Sequence, residues 1–389
     1  MIILFVDRQL RDKLVEMFSK FSVVFLTGPR QSGKTTLTKN SFPNLKYINL
    51  ENPAERQRIM EDPEGFLDQF KNGVIIDEAQ NYPDLFSYIQ VYVDKRNNIP
   101  GQFLLTGSQN FMLNEKISQT LAGRVAILEL LPLSFQEISK KFSAEIDISS
   151  AIFKGCYPEL YSTLLKTPTD FFPNYIQTYL ERDVRQIKNI SNLNLFQNFV
   201  RLCAGRVGHI INYSSLGNDC GLSVPTIKGW ISILEASYIV YTVYPYFLNI
   251  NKRMVKTPKL YFYDTGLLCS LLGIKSVDEL ETHYAYGSIF ENFIINEFIK
   301  TQCNKGERKN VYFLRDKIGH EIDCFIPNNN SNCMYEIKSS ATFDKSFIKN
   351  IEYYNSDNSA QGFVIYNGNE KFKYKNVEVI PIKNWSFCE

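Results

Sequence analysis

The sequence predicts an α/β protein whose N-terminal part is a parallel sheet. Three observations carry this. β-Branched and aromatic runs at 22–26, 47–50, 74–76, 103–105 and 125–130 alternate with segments long enough for helices. The first run ends in a glycine-rich turn that opens a helix at Lys34. A second alternation of helix and strand fills about 280–389. With 389 residues, the chain is too long for one core on a prior of roughly 150 residues per domain, so two or three units are expected.

Composition narrows the function classes. Hydrophobic residues at 44% and charged residues at 22% are ordinary globular usage, which excludes wholesale disorder. The net charge of +2 excludes a global grip on nucleic acid or membrane, so such binding requires a local patch. The apolar start is broken by Asp7 and Arg8, too early for a signal-peptide core, and no stretch approaches the ~20 apolar residues of a membrane span. The eight cysteines form no C-x-x-C pair, which argues against a zinc knuckle or disulfide framework and for a reducing cytoplasm. His209, His283 and His320 are the only histidines and lie far apart in sequence, a poor basis for a histidine metal site.

Along the chain, the first strand leads into Gly28-Pro29-Arg30-Gln31-Ser32-Gly33-Lys34-Thr35-Thr36, which fits G-x-x-x-x-G-K-[ST] in its strand-to-helix context. The glycines let backbone N–H groups turn toward phosphates at a helix N-terminus. Lys34 is expected at the β- and γ-phosphates of ATP, and the Thr35 hydroxyl on Mg2+. The strand GVII ends in Asp77 and Glu78: Asp77 is expected to order the magnesium shell, and Glu78 to accept a proton from attacking water. The strand FLLTG ends in Ser108 and Gln109 at the same sheet edge, where either is placed to sense the γ-phosphate. Arg124, in LAGR, is a candidate for stabilising transition-state charge, in cis or across a subunit interface.

Pro132 and Ser134 mark a break, and 133–190 reads as mostly helical. A helix over about 213–219, a turn at Gly221, a helix capped by Ser223 and a strand at 238–244 predict a winged helix-turn-helix. Thr226 and Lys228 on its second helix, with Lys252, Arg253, Lys256 and Lys259 just beyond, form the candidate DNA-binding patch. In the last third, strand alternation puts Glu336 and Lys338 on one face. The Asn-rich connection brings Asp323 beside them, with Glu291 offered from the preceding helix. Carboxylates and a lysine so gathered suit metal-dependent phosphodiester cleavage, as in the D…E-x-K arrangement of restriction-endonuclease-like nucleases, which this group resembles.

GPRQSGKTTL, VIIDEAQ, LLTGSQ, LAGR, LPLSF, GCYPE, TYLERDV, KTPKLYFYDTGL and EIKSS follow in this order over nearly the whole chain. Together they resemble the archaeal-type AAA family of ATPases with a C-terminal domain of uncharacterised function. The resemblance implies a P-loop NTPase with an AAA-type sheet over 1–130, a helical lid over 131–192, a winged helix-turn-helix over 193–265 and a restriction-endonuclease-like α/β domain over 266–389. The expected function is a Mg-dependent ATPase whose nucleotide state switches a nucleic-acid or protein partner. Its rivals are an ATP-gated DNA nuclease and a nucleotide-dependent binding module with little turnover.

Overall fold

The computed structural model describes residues 5–107, 120–142, 146–162, 166–180, 192–247, 257–328, 331–356 and 360–384. Five parallel strands form the first sheet: β1 (Val23–Thr27), β2 (Lys46–Asn49), β3 (Val74–Asp77), β4 (Phe103–Gly107) and β5 (Val125–Glu129). Their order is β2-β3-β4-β1-β5. Val23 and Phe25 enter one apolar cluster, whereas Val24 and Leu26 enter another. A strand buried on both faces reads as a continuous apolar run, as the interior strands β1, β3 and β4 do, whereas the edge strands β2 and β5 are only partly buried. α1 (Leu10–Lys20) and α2 (Lys34–Ser41) cover one face through Leu10, Leu14 and Leu37. α3 (Pro53–Glu61), α4 (Pro63–Asp68) and α5 (Leu85–Lys95) cover the other through Ile59, Phe66 and Phe86. α3 and α4 each start on a capping side chain followed by proline: Asn52 accepts from the Ala54 N–H, and Asp62 from that of Gly65.

Short helices follow the sheet: α6 (Phe135–Phe142), α7 (Ile148–Lys154), α8 (Glu159–Ser162) and α9 (Pro168–Tyr175), the last continuing into a wider π turn over Ile176–Leu180. α10 (Leu193–Ala204), α11 (Tyr213–Cys220) and α12 (Val224–Ala236) come next, with Gly221 left-handed between the last two. β6 (Val240–Val243) and β7 (Lys259–Phe262) then form an antiparallel ribbon. After α13 (Thr265–Leu271), α14 (Val277–Thr282) and the long α15 (Tyr286–Asn304), a six-stranded mixed sheet closes the chain. Its strands are β8 (Tyr312–Arg315), β9 (Glu321–Ile326), β10 (Asn332–Lys338), β11 (Ala360–Tyr366), β12 (Phe372–Tyr374) and β13 (Val377–Pro381). They lie in the order β12-β13-β11-β10-β9-β8, with α16 (Lys349–Tyr354) between β10 and β11 in sequence.

One apolar cluster runs from Val6 through Leu133, Phe172, Phe199, Leu234 and Phe290 to Ile382, so the helical segment, the ribbon and one face of the second sheet share a core. α15 lies at its centre, where Phe298 packs on Tyr335 of β10 at 4.6 Å. The other face of that sheet, with Val364 and Val379, packs separately around Ile351 of α16. No helix among the described residues is long and apolar enough to cross a membrane.

Candidate functional site

The glycine-rich turn sits at the carboxyl end of β1, a central strand of its sheet. Gly28 has φ +146°, and a Cβ there would meet the Leu130 carbonyl oxygen at 2.2 Å, so only glycine lets the chain pass this point. Gly33 (φ +94°) completes the turn into α2. Lys34 is buried, and its Nζ donates to the carbonyls of Gly28 at 3.0 Å and Pro29 at 2.7 Å, on the inside of the loop. Burial pushes the Lys34 ammonium down to about 8, against the raising pull of Glu78 and Asp77. The Ser32 hydroxyl is fully buried without a hydrogen-bond partner among the described residues.

Asp77 ends β3 and is buried beneath the loop. Hydroxyls surround it: Thr35 donates to Oδ2 at 2.7 Å, Tyr47 to the same oxygen at 2.7 Å, and Thr106 to Oδ1. β4 lies between β1 and β3, and therefore delivers Thr106 to this spot. Burial and the bond to Asp77 raise the Tyr47 hydroxyl, which keeps it a proton donor. Glu78 takes the left-handed conformation, φ 55° and ψ 47°; its amide donates to Thr106 Oγ1 and its carboxylate accepts from Gln80. A backbone conformation this sparsely populated costs about 1–3 kcal/mol and clusters at functional sites. A cleft of about 360 Å³ results, lined by Lys34, Thr35 and Glu78 together with Arg8, Pro158 and Ser162.

Arg8 ties this cleft to the rest of the molecule. It donates to the Ser32 carbonyl at 2.7 Å, the Leu131 carbonyl at 2.6 Å and Glu137 Oε1 at 3.1 Å. Glu137 also accepts the N–H groups of Gln9 and Ser134. From α15, Lys300 donates to the Leu133 carbonyl at 2.8 Å, and Glu297 accepts the Phe135 N–H at 2.8 Å.

Sequence reasoning missed Arg8, Tyr47 and Thr106. Thr106 carried a signal, as a hydroxyl inside an otherwise apolar buried strand; Arg8 and Tyr47 carried none. Ser108 and Gln109 lie outside the described residues, as do Lys252, Arg253 and Lys256. Two expectations are corrected. Arg124 cannot reach the turn in cis, because Val125 pairs with Val23 whereas Glu129 pairs with Thr27, the residue before Gly28. Five residue rises, roughly 16 Å, separate Arg124 from that end of the sheet. Its guanidinium forks onto Asp94 instead. Lys259 is not a solvated cation beside a DNA patch: it is 2% exposed in β7, with its Nζ 3.1 Å from Glu291 and 2.6 Å from Glu321. Lys228 is exposed beside the Tyr213 ring, and the Thr226 amide and hydroxyl are both engaged by Ser223.

The structure brings Asp323, Glu336 and Lys338 together on β9 and β10. Lys338 Nζ lies 3.2 Å from Asp323 and also pairs with Glu336. Asp323 further accepts the Ile337 N–H at 2.8 Å, and Glu336 accepts from Asn350 at 3.2 Å. Burial alone would raise Asp323, but Lys338 and Lys259 outweigh it and hold the carboxyl below its ordinary value. Burial and the Asp323 charge push Glu336 up to about 8. Burial likewise raises Glu291, partly offset by Lys259, and Tyr261 donates to the same oxygen that Lys259 pairs with. Among the described residues, no three His, Cys, Asp or Glu side chains are gathered so as to hold a metal ion.

A parallel sheet carrying this turn at an interior strand, with an aspartate at the same end of the next strand but one, defines the class of P-loop nucleotide-binding proteins. Family models agree: residues 20–139 match an AAA domain, 145–278 a domain of unknown function (DUF8612) and 286–385 a domain of unknown function (DUF4143). An uncharacterised protein of Mycobacterium tuberculosis is 30% identical over 323 residues, covering 82% of this chain and 71% of that protein. An uncharacterised protein of Methanocaldococcus jannaschii is 24% identical over 351 residues, covering 76% of this chain and 71% of its own. A solved Walker-type ATPase of Pyrococcus abyssi is similar with a TM-score of 0.47 and 15% identity, over 69% of this chain and 96% of that one. The chain belongs to this family of AAA ATPases with a C-terminal DUF4143 domain.

Proposed function

We propose that the chain is a magnesium-dependent ATPase whose nucleotide state repositions the helical segment and C-terminal units, and so switches a nucleic-acid or protein partner. The observation that carries the reading is the meeting of Thr35 and Asp77 at 2.7 Å, with Lys34 and Glu78 lining the same cleft. A hydroxyl and a carboxylate are hard oxygen donors of the kind magnesium takes alongside substrate phosphates, so Thr35 and Asp77 fit that ion. Magnesium there would neutralise charge on the β- and γ-phosphates. Lys34 would exchange its two carbonyl partners for phosphate oxygens, and the backbone turn from Gly28 to Thr36 would cradle the phosphates. Glu78 would accept the proton of the attacking water. Binding of a fluorescent ATP analogue and magnesium-dependent phosphate release test the reading together. Binding without turnover would leave a nucleotide-dependent binding module, and no affinity for ATP with magnesium would overturn the reading.

For the partner, α11, α12 and the β6–β7 ribbon have the outline of a winged helix, with the exposed Lys228 on its second helix. In the C-terminal cluster each carboxylate already has a cationic partner, Asp323 and Glu336 in Lys338 and Glu291 in Lys259. We therefore read it as a structural ion-pair network. Magnesium-dependent DNA cleavage that Lys338→Ala abolishes while ATPase turnover persists would reverse that assignment.

A further inference from the structure

We propose that Arg8 is a positioning residue of the nucleotide site, and that its ion pair with Glu137 makes the shape of the phosphate turn depend on α15. This rests on the ATP reading above.

Arg8 precedes α1 and lies outside the nucleotide motif, yet its guanidinium reaches the Ser32 carbonyl at 2.7 Å. A trans peptide is planar, so the Ser32 carbonyl and the Gly33 N–H point in opposite directions within one unit. Holding the carbonyl toward Arg8 fixes the Gly33 N–H facing away from it, and that N–H is one of the donors of the turn. A cation bonded to the carbonyl also polarises the peptide and strengthens its N–H as a donor. The two groups are close: a Cβ on Gly33 would sit 3.7 Å from Arg8 NH1, and both residues line the cleft. Arg8 thus acts through the backbone of the turn.

Its other two bonds leave the sheet. Nη2 holds the Leu131 carbonyl and Nε holds Glu137, a side chain 1% exposed. Glu137 also accepts the Ser134 N–H, and the residues flanking Ser134 are fastened to α15 by Lys300 and Glu297. Lys300 and Glu297 also pair with each other at 2.9 Å. Ser32, Arg8, Glu137, the 133–135 strand of chain and α15 thereby form one continuous set of bonds. Glu291, on the same helix, holds Lys259 of the ribbon at the far end. A shift of α15 relative to the first sheet must therefore move the Ser32 carbonyl or break a buried bond.

The test is ATP affinity, measured with a fluorescent analogue, and steady-state kinetics of the full chain carrying Arg8→Ala, Arg8→Lys or Glu137→Gln. Loss of one charge-assisted hydrogen bond to the turn predicts affinity weakened about tenfold or more in Arg8→Ala, with KM rising more than kcat falls. Arg8→Lys keeps the charge without the fork and recovers part of the loss. Glu137→Gln, at a residue that meets the nucleotide cleft only through Arg8, shifts affinity the same way. Circular dichroism melts separate folding from function, and should Arg8→Ala fail to fold, Glu137→Gln carries the test. Folded variants with wild-type affinity and KM overturn the proposal, even if their melting temperature drops. Failure of the ATP reading looks different: the wild type and Lys34→Ala would then both lack affinity, whereas failure of this proposal alone leaves the wild type binding and Lys34→Ala not.

Discussion

The first sheet and the last each gather carboxylates and a lysine at the ends or centres of β-strands, but they spend those charges differently. In the first, Lys34 is bonded to two backbone carbonyls and Asp77 to three hydroxyls, all neutral groups. In the last, Lys338 faces Asp323 and Glu336, and Lys259 faces Glu291 and Glu321. Neutral partners are exchanged for an incoming ion without breaking an ion pair, whereas a ligand entering the last sheet's cluster must first part a lysine from a carboxylate. Partner chemistry, more than residue type, separates a binding cleft from an ion-pair network.

Substitutions can break this contrast. Lys34→Ala removes the unanswered cation and should abolish measurable ATP affinity in a fluorescence titration; an unchanged affinity would move the phosphates elsewhere. Glu78→Gln should keep binding while slowing phosphate release by about 10²–10⁴-fold, the range of general-base catalysis. Turnover at the wild-type rate would remove Glu78 from the chemistry. In the other region, Lys259→Met should leave ATP affinity unchanged but lower folding stability in urea by about 1–3 kcal/mol, because it removes the cation that Glu291 and Glu321 share. A change below about 0.5 kcal/mol would mean that Lys259 behaves as a surface cation after all.

The smallest effect expected is one of pH. With Lys34 held near 8 by burial, its ammonium is lost as pH rises through that value, so ATP affinity should fall about threefold between pH 7.5 and 8.5. The linkage to folding has the opposite sign. Between about 8 and 10.5 the unfolded chain holds this proton while the folded chain has released it, so the Lys34 contribution to stability rises with pH. A Lys34→Met variant should lose this stability dependence in urea titrations run across the same pH range.

Much of the first site was legible in the sequence because it is local. The turn, Lys34, Thr35, Asp77 and Glu78 follow from contiguous motifs at strand ends, and the strands themselves from apolar runs that β1 and β4 match closely. What was hidden depends on contacts between distant segments. Arg8 meets Glu137 across more than a hundred residues, and nothing in the local sequence marks either. Lys259 sits among lysines that read as a basic patch, and only its pairing within β7 shows it turned inward. β12 went unread because Phe372–Tyr374 is a partly exposed edge strand carrying lysine, a composition that guards sheet edges and weakens the apolar signal.

The shared core that begins at Val6 and ends at Ile382 has a consequence for how the protein is made. During synthesis the first sheet can collapse once β5 has emerged, because its two apolar clusters draw on residues no later than Leu130. Val6 and the helices beyond Leu131 share a cluster that is complete only once the second sheet has followed. A nascent chain stalled before α15 would carry a formed phosphate turn with Glu297 and Lys300 not yet translated, leaving exposed apolar surface as a target for chaperones.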